Sequence, residues 1–586
     1  MTAWVGRKPR IGILGIMQDL YDDMIPGIAQ RQEGYAAELA AHLSDVAEFT
    51  PSKAIKYRED AERAMREFEN ADLDGVLVVM LTYGPAMRVA RLLSESRLPV
   101  CLANIQPEPT VTPAWDMADM TYNQGVHGAQ DTANAMVRAG KRFAVLTDDW
   151  KSATFREDVG RWARAAAAAT AWKRLKVAIF GYAMNEMGDI RVDESALIRS
   201  LGPAMRVARL LSESRLPVCL ANIQPEPTVT PAWDMADMTY NQGVHGAQDT
   251  ANAMVRAGKR FAVLTDDWRS GTFREDVGRW ARAAAAATAW KRLKVAIFGY
   301  AMNEMGDIRV DESALVRTLG PAIISVAQGD LYRGMQEARP EAVASVIAFE
   351  DEHFEIDPRL SETERTDHAR MQVAIENILN ERGFGAYTAH FDAIGEDGRF
   401  SRLPLAAASS LMAKGYGYAA EGDVLTACLV YAGHVLIGDA HFTEMYAMDF
   451  PSDSVLMSHM GEGNWKVARS DRPVKLIKRP LGIGRLEDPP TFLFQYQPGP
   501  ATLATLVSLE GERFRLVVAE GQNLDSQLLP ALEMPYGQFR PASGLRKCLN
   551  GWLSAGGPHH EVMNLGHHAA DWKAFCQLTG IEFVQV

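Results

Sequence analysis

One stretch of 118 residues occurs twice in this chain. Residues 85 to 202, opening "PAMRVARLLSESRLPVCLANIQ", return at 203 to 320 with four changes: Lys151 against Arg269, Ala153 against Gly271, Ile198 against Val316, and Ser200 against Thr318. A working solenoid stacks short, diverged units on their neighbours, whereas this unit is domain-sized, occurs twice and is almost unchanged. It reads as a recent tandem duplication or a sequence-assembly artefact. The shared "GPA" at 84 to 86, 202 to 204 and 320 to 322 marks where a slip or unequal exchange would join the copies.

Before and within the repeat, short β-rich apolar runs alternate with helical patterns. RIGILGI, a short run near 47 to 52, DGVLVVML, PVCLANI, RFAVLTDD and KVAIFGY read as strands, separated by helices such as YREDAERAMREFENA, GVHGAQDTANAMVRAG and FREDVGRWARAAAAATAWKR. Such alternation predicts parallel sheets covered on both faces. The Ala runs at 165 to 169 and 283 to 287 are strong helix formers and predict packing faces. A second α/β section begins at 321, and from about 440 short strands separated by Gly and Pro turns predict a mainly antiparallel domain. The expected class is α/β: two Rossmann-like parallel-sheet domains followed by a mainly antiparallel β C-terminal domain, with a duplicated α/β segment inserted. Residues 1 to 175 are continuous, and the end of the second copy runs directly into the next section. The expected boundaries are therefore 1–175 for the N-terminal α/β domain, 176–293 for the surplus copy, 294–437 for the second α/β domain and 438–586 for the mainly β domain.

At 47% hydrophobic and 23% charged, the 586-residue chain has an ordinary globular composition, and its net charge of −13 makes nucleic acid and anionic membrane poor partners. No stretch reaches the ~18 apolar residues of a spanning helix. The N-terminal apolar run reads as a first strand rather than the core of a signal peptide. The five cysteines are widely spaced, Cys101 and Cys219 being copies of each other, and read as reduced thiols of a cytoplasmic protein.

Nucleotide motifs are absent: there is no GxxxxGK[ST], the first strand runs into "GIMQDLYDD" rather than GxGxxG, and "LGIGRLED" lacks the third glycine and a following helix. The last third instead places acidic and histidine residues in low-charge, Gly-rich settings: Glu421 in "YAAEGDVLT", Glu444 in "HFTEMYAMDF", His459 in "LMSHMGEGNW", and His559 and His560 in "AGGPHHEVM". Two carboxylates and two imidazoles form a mixed O/N ligand set suited to Mn²⁺, Co²⁺ or Mg²⁺. Local sequence leaves blander readings open. Glu421 would serve as a dipole-favoured cap of the apolar helix that follows, Glu444 as a solvated strand residue, and His459 as a satisfied core histidine. If residues 559 and 560 are extended, their rings point to opposite faces and at most one reaches a given metal. His567 and His568 in "GHHAADW" read as the surface start of the final helix.

Together "GYAAEGD", the Glu of "HFTEMY", "SHM" fifteen residues after that Glu, and "AGGPHH" give the chain a resemblance to the L-arabinose isomerase family, extending over essentially its whole length once one repeat is set aside. The resemblance implies that Glu421, Glu444, His459 and His560 bind a divalent metal, usually Mn²⁺, and that Glu421 and Glu444 also do acid/base catalysis. It reaches the first domain, where "IMQDLYDD" and "NQGVHG" are similar to pocket-lining motifs. By position these give Gln18, Leu20, Gln124 and His127, with Gln242 and His245 as duplicates; Met302 and its copy Met184 match another lining position. In the family such a Gln and His come from a neighbouring subunit's first domain, and the resemblance implies a homo-oligomer, a hexamer, which the insert puts in question. Two departures stand close to where sugar hydroxyls would be read: Asp19 replaces the motif's histidine, and "GEGNW" follows His459 where a more apolar segment is usual. The implied activity is aldose–ketose isomerisation of a small-molecule sugar, L-arabinose or a related aldose, by proton transfer between C1 and C2 through an enediol. The alternatives are a non-catalytic sugar-binding or sensor protein and an isomerase homologue impaired by the duplication.

Overall fold

The computed structural model describes residues 7–71, 73–173, 211 and 216–586, and the elements below are counted among these. The first sheet has β1 (Arg10–Ile16), β2 (Glu48–Pro51), β3 (Gly75–Met80), β4 (Val100–Asn104) and β5 (Ala144–Thr147), all parallel in the order β2-β1-β3-β4-β5. Its central strand, GVLVVM, is buried at every residue, which is why it reads as an unbroken apolar run rather than an alternating one.

The second copies of β4 and β5 behave differently. β6 (Cys219–Asn222) and β7 (Ala262–Thr265) repeat the register of the originals, Cys219 opposite Ala262 as Cys101 is opposite Ala144, yet they form a separate two-stranded sheet. A second larger parallel sheet contains β8 (Lys294–Phe298), β9 (Ala322–Val326), β11 (Ala386–Ala389) and β12 (Gly417–Ala420), in the order β12-β11-β8-β9, and a small sheet joins β10 (Glu355–Ile356), β15 (Lys475–Lys478) and β16 (Pro490–Leu493). The C-terminal part contains β13 (Ala440–Asp449), β14 (Ser454–Ser458), β17 (Gly499–Leu509), β18 (Arg513–Asn523), β19 (Tyr536–Pro541), β20 (His560–Leu565) and β21 (Glu582–Gln585). Its order is β17-β20-β13-β14-β19-β18-β21, and pairing of β17 with β18 closes an antiparallel barrel that leaves β21 attached outside, parallel to β18. Closure removes the free edges that an open antiparallel sheet would expose.

Two helices of nearly the same sequence show how context selects a packing face. Helix α1 (Gly125–Arg138) and helix α2 (Ala153–Lys173) belong to the first copy; α3 (Gly243–Arg256) and α4 (Gly271–Lys291) are their repeats. In α2, Phe155, Val159 and Ala163 are buried in the core of the first sheet while Ala165, Ala168 and Ala169 are exposed. In α4 the pattern reverses. Ala283, Ala286, Ala287 and Trp290 are buried in the core of the second sheet, and Val277 and Ala281 are exposed. Trp290 packs 5.4 Å, centroid to centroid, from Phe575 of α7 (Ala569–Thr579), close to α5 (Val424–Leu436); α6 (Leu545–Ser554) lies between the barrel and β5. The segment expected as surplus, 176–293, thus includes a helix that forms part of the second core.

Because each copy uses a different face, the same substitution has opposite outcomes in the two. Ala286→Asp puts an unpaired charge in the core and costs more than ~2 kcal/mol, whereas Ala168→Asp stays within ~0.5 kcal/mol. Thermal melts of the two variants check this, and equal losses would contradict the face assignment.

Candidate active site

The barrel brings three of the sequence-predicted residues together through strand register alone. Glu444 on β13 is paired across to Ser458 at the end of β14 and to His560 at the start of β20. His459 follows Ser458 directly, so both imidazoles flank one carboxylate: His560 Nε2 lies 3.1 Å and His459 Nε2 3.3 Å from Glu444 Oε1. Glu421 arrives from the second sheet. It leaves β12 with a left-handed backbone (φ 62°), followed by Gly422 at φ 80°, where an added Cβ would lie 2.3 Å from the Tyr300 carbonyl oxygen. Only glycine fits that approach. Asp423, not Glu421, caps α5, accepting from the Thr426 N–H at 3.0 Å. The cap reading of Glu421 is therefore corrected: its carboxylate faces the cluster, with Oε2 3.8 Å from His560 Nε2 and 3.9 Å from His559 Nε2.

Each barrel histidine is held by a carboxylate on its far nitrogen. His560 Nδ1 pairs with Asp423 Oδ2 at 2.9 Å and His459 Nδ1 with Glu462 Oε2 at 2.8 Å, while Tyr418 donates its hydroxyl to Glu462 Oε1 at 2.8 Å. Engaging Nδ1 leaves Nε2 turned to the centre, the arrangement that orients imidazole ligands around metals. Burial alone would strip the proton from His459, but Glu462 and Glu444 outweigh it and lift the imidazole to about 10. Burial also pushes the Glu444 carboxyl up, and the His459 ring outweighs that and holds it well below the usual range. Glu421 Oε2 and His560 Nε2 are buried without a hydrogen-bond partner, the 3.1 Å approach of His560 to Glu444 being misaligned for one. Two overlapping groups have the spacing of a metal site, Glu421 with His559 and His560, and Glu444 with His459 and His560. Orphaned buried atoms and a mixed O/N donor set fit a divalent cation.

The expectation that at most one of the adjacent histidines faces the site is overturned. His559 lies just before β20 rather than within it, and its ring stands 4.3 Å from that of His560, centroid to centroid. Asp307 causes this, its Oδ2 accepting from both the backbone N–H (3.0 Å) and Nδ1 (2.6 Å) of His559.

The first sheet supplies the other wall of a cavity of about 350 Å³, lined by Gln18, Leu20, Gln124, His127, Met302, Glu421, Glu444 and His459 among others. His127 Nε2 reaches to 3.6 Å from Glu444 Oε2, and Gln124 donates to the Tyr21 hydroxyl at 2.6 Å. Burial lowers His127 to about 4, against the pull of Glu444, so it meets the site as a neutral ring. Gln124 and His127 thus both line the cavity. The glycines of "NQGVHG" allow the close docking: a Cβ at Gly128 would sit 2.7 Å from Met80 Sδ and 3.1 Å from the Gly84 nitrogen. At its repeat, Gly246, nothing lies within 4 Å, and Gln242 and His245 are exposed. Met184 lies outside the described residues.

Several contributors escaped the sequence reading: Asp423, Glu462, Asp307 and Asp131. Asp131 on α1 clamps the first sheet to the loop that carries Asp307. Its Oδ1 accepts from the N–H groups of Gly306 (2.9 Å) and Asp307 (3.0 Å), and Oδ2 from that of Ala86 (2.8 Å). Burial, reinforced by the Asp307 carboxylate, pushes the Asp131 carboxyl well above its ordinary range, while Asp307, despite its burial, is drawn down to about 2 by His559. The two departures from the family pattern also find places. Asp19 pairs with Arg88 at 3.0 Å, Arg88 also holding Glu304 at 2.8 Å, and the Glu of "GEGNW" is Glu462, which orients His459.

Comparison with known proteins agrees along the chain. The L-arabinose isomerase N-terminal domain matches residues 11–174, the central domain 294–438 and the C-terminal domain 439–582. L-arabinose isomerases of Klebsiella pneumoniae (strain 342) and Actinobacillus succinogenes are each 30% identical over 369 residues, and that of Serratia proteamaculans 30% over 373. Each alignment covers 60% of this chain and 73% of the relative. Fold, site and matches define an intramolecular oxidoreductase of the aldose–ketose isomerase class. The chain belongs to the L-arabinose isomerase family.

The clamp gives a paired test. Asp131→Ala strands buried N–H groups and costs about 2–4 kcal/mol; Asp249→Ala, the same change in the exposed repeat, is silent. Denaturation midpoints distinguish them.

Proposed function

We propose that the chain is a divalent-metal-dependent isomerase that interconverts an aldose such as L-arabinose, or a closely related sugar, and its 2-ketose. The observation that carries this reading is a pair of overlapping ligand groups that share His560, Glu421 with His559 and His560 and Glu444 with His459 and His560, with Glu421, Glu444, His459 and His559 lining the cavity. Mn²⁺ suits this donor set best, with Co²⁺ or Mg²⁺ as substitutes; held by Glu421, Glu444, His459 and His560, such an ion would supply the positive charge that stabilises negative charge developing on the sugar.

The residues divide the remaining work. Glu444, fixed among three imidazoles, holds the centre together and stays ionised. Glu421 faces the cavity with a free carboxylate oxygen and is the group placed to take the proton from C2 of the aldose and return it to C1. The proton gained by the carbonyl oxygen at C1 and that lost from the hydroxyl at C2 complete the exchange, leaving the ketose with no net change in atoms. Neutral His127 and the amides of Gln18 and Gln124 offer hydrogen bonds to the sugar's other hydroxyls, and Leu20 and Met302 exclude water beside them. Retention of the whole Glu/Glu/His/His set supports an enzyme over a sugar-binding module, which has no use for it.

Mn²⁺-loaded protein incubated with L-arabinose in D₂O is expected to form ketose and to incorporate solvent deuterium. Glu421→Gln and Glu444→Gln should each lower kcat by roughly 10²- to 10⁴-fold. Sugar binding without product or deuterium exchange, across a panel of aldopentoses and aldohexoses, would contradict the reading.

A further inference from the structure

The geometry points to a substrate with an apolar tail: an aldose that ends in a methyl group, a 6-deoxyhexose rather than its fully hydroxylated counterpart. This rests on the isomerase reading and concerns the part of the same cavity that receives the sugar's far end.

The side-chain atoms left open to hydroxyls lie beside the cluster. Gln18 Oε1, the Tyr83 hydroxyl, His127 Nε2 and Glu421 Oε2 are each buried without a hydrogen-bond partner, and all four residues line the cavity. The Tyr83 ring stands 6.3 Å from that of His127 and 6.0 Å from that of His559, centroid to centroid, and the Gln18 N–H donates at 3.3 Å to the hydroxyl of Thr82, the neighbour of Tyr83 in sequence. A sugar whose reacting carbons meet Glu421 and Glu444 finds its nearer hydroxyls matched here.

Toward the mouth the wall changes character. The short helix Leu20–Met24, of sequence LYDDM, gives Leu20 and Met24 to the cavity, 43% and 44% exposed, while Asp22 is tied to Lys56. Met24 Cε comes within 3.6 Å of the position a Cβ would take at Gly482, which sets it against the loop that carries Leu481. Leu403 closes on the same loop, 3.3 Å from a Cβ placed at Gly484, and the Met460 carbonyl accepts from Arg479 at the start of that loop. Leu403, Met460 and Leu481 all line the cavity.

Other polar side chains of the lining already have partners. Thr121 donates to the Met117 carbonyl at 2.9 Å, Gln124 to the Tyr21 hydroxyl, and the two oxygens of Glu462 are taken by Tyr418 and His459. Asp19, where the family pattern has a histidine, turns to Arg88 at 3.0 Å and is not among the described residues that line the cavity. A terminal hydroxyl carried to this mouth gives up water for thioethers and methyl groups, whereas a methyl group makes the same contacts and leaves no polar atom unpaired. Discrimination of this kind against an added hydroxyl amounts to about tenfold to a hundredfold.

Matched pairs of sugars that differ only at C6 test the proposal: D-fucose with D-galactose, L-fucose with L-galactose, and L-rhamnose with L-mannose. In steady-state kinetics of the Mn²⁺-loaded full chain, the methyl-ended member of the best pair is expected to show a kcat/KM about tenfold to a hundredfold above its partner. An equal or higher kcat/KM for the hexose would overturn the proposal. Turnover of none of the pairs would count against the isomerase reading alone. The alditols made by reducing each sugar then decide the tail by calorimetry: tighter binding of the methyl-ended alditol supports the proposal, and equal or weaker binding, or no binding by either, overturns it. Leu481→Asn locates the effect in this wall. Its ratio between the paired ligands should fall toward one, and an unchanged ratio would contradict the assignment.

Discussion

Everything at the site depends on how α1 is buried. Twelve of its fourteen residues are withdrawn from solvent, between the C-terminal ends of the first sheet's strands on one side and the barrel on the other. A helix covered all round acts as part of a core rather than a surface element. It fixes three things together: the amide of Gln124 and the ring of His127 at the cavity, the Gln130 and Asn134 bonds to the β20 region, and the Asp131 clamp on the loop that carries Asp307. Through Asp307 the docking helix also sets the direction of His559, and so the surroundings of Glu421. A site made of residues more than four hundred positions apart in sequence is in this way held by one helix.

The repeat acts as an internal control on that account. α1 and α3 have the same sequence and the same backbone at their N-caps, Gln124 at φ −83° and Gln242 at φ −81°. Their local structure is therefore set by sequence, through the Asp116 and Asp234 capping boxes that precede each. Their burial is not. What makes the first copy part of a site is the presence of β1 to β3 beside it and a barrel opposite, neither of which the second copy has.

That contrast also explains what could be read in the chain. Alternating apolar runs identified the parallel sheets because β3 and β8 are buried on both faces, and turn-rich segments identified the barrel strands. The acidic and histidine residues of the last third stood out because they interrupt otherwise low-charge segments, and β13, β14 and β20 bring them into register. Residues that act through a partner left no such mark. Asp131 and Asp307 look like surface aspartates, and their contact joins different copies of the repeat. Glu462 looked like a departure from pattern until Tyr418 and His459 were found on either side of it. Which face of the Ala-rich helix is buried was illegible in principle, since sequences that differ only at their first residue, Ala153 against Gly271, bury opposite faces in α2 and α4.

The central claim is that one copy of "NQGVHG" belongs to the site and the other does not. It is tested most directly by the steady-state isomerase kinetics of two single variants in the Mn²⁺-loaded full chain. His127→Ala is predicted to lower kcat/KM by at least about tenfold, the loss of one buried polar contact to the reacting centre, while His245→Ala leaves it unchanged. Equal losses in the two variants, or a loss confined to His245→Ala, would contradict the account.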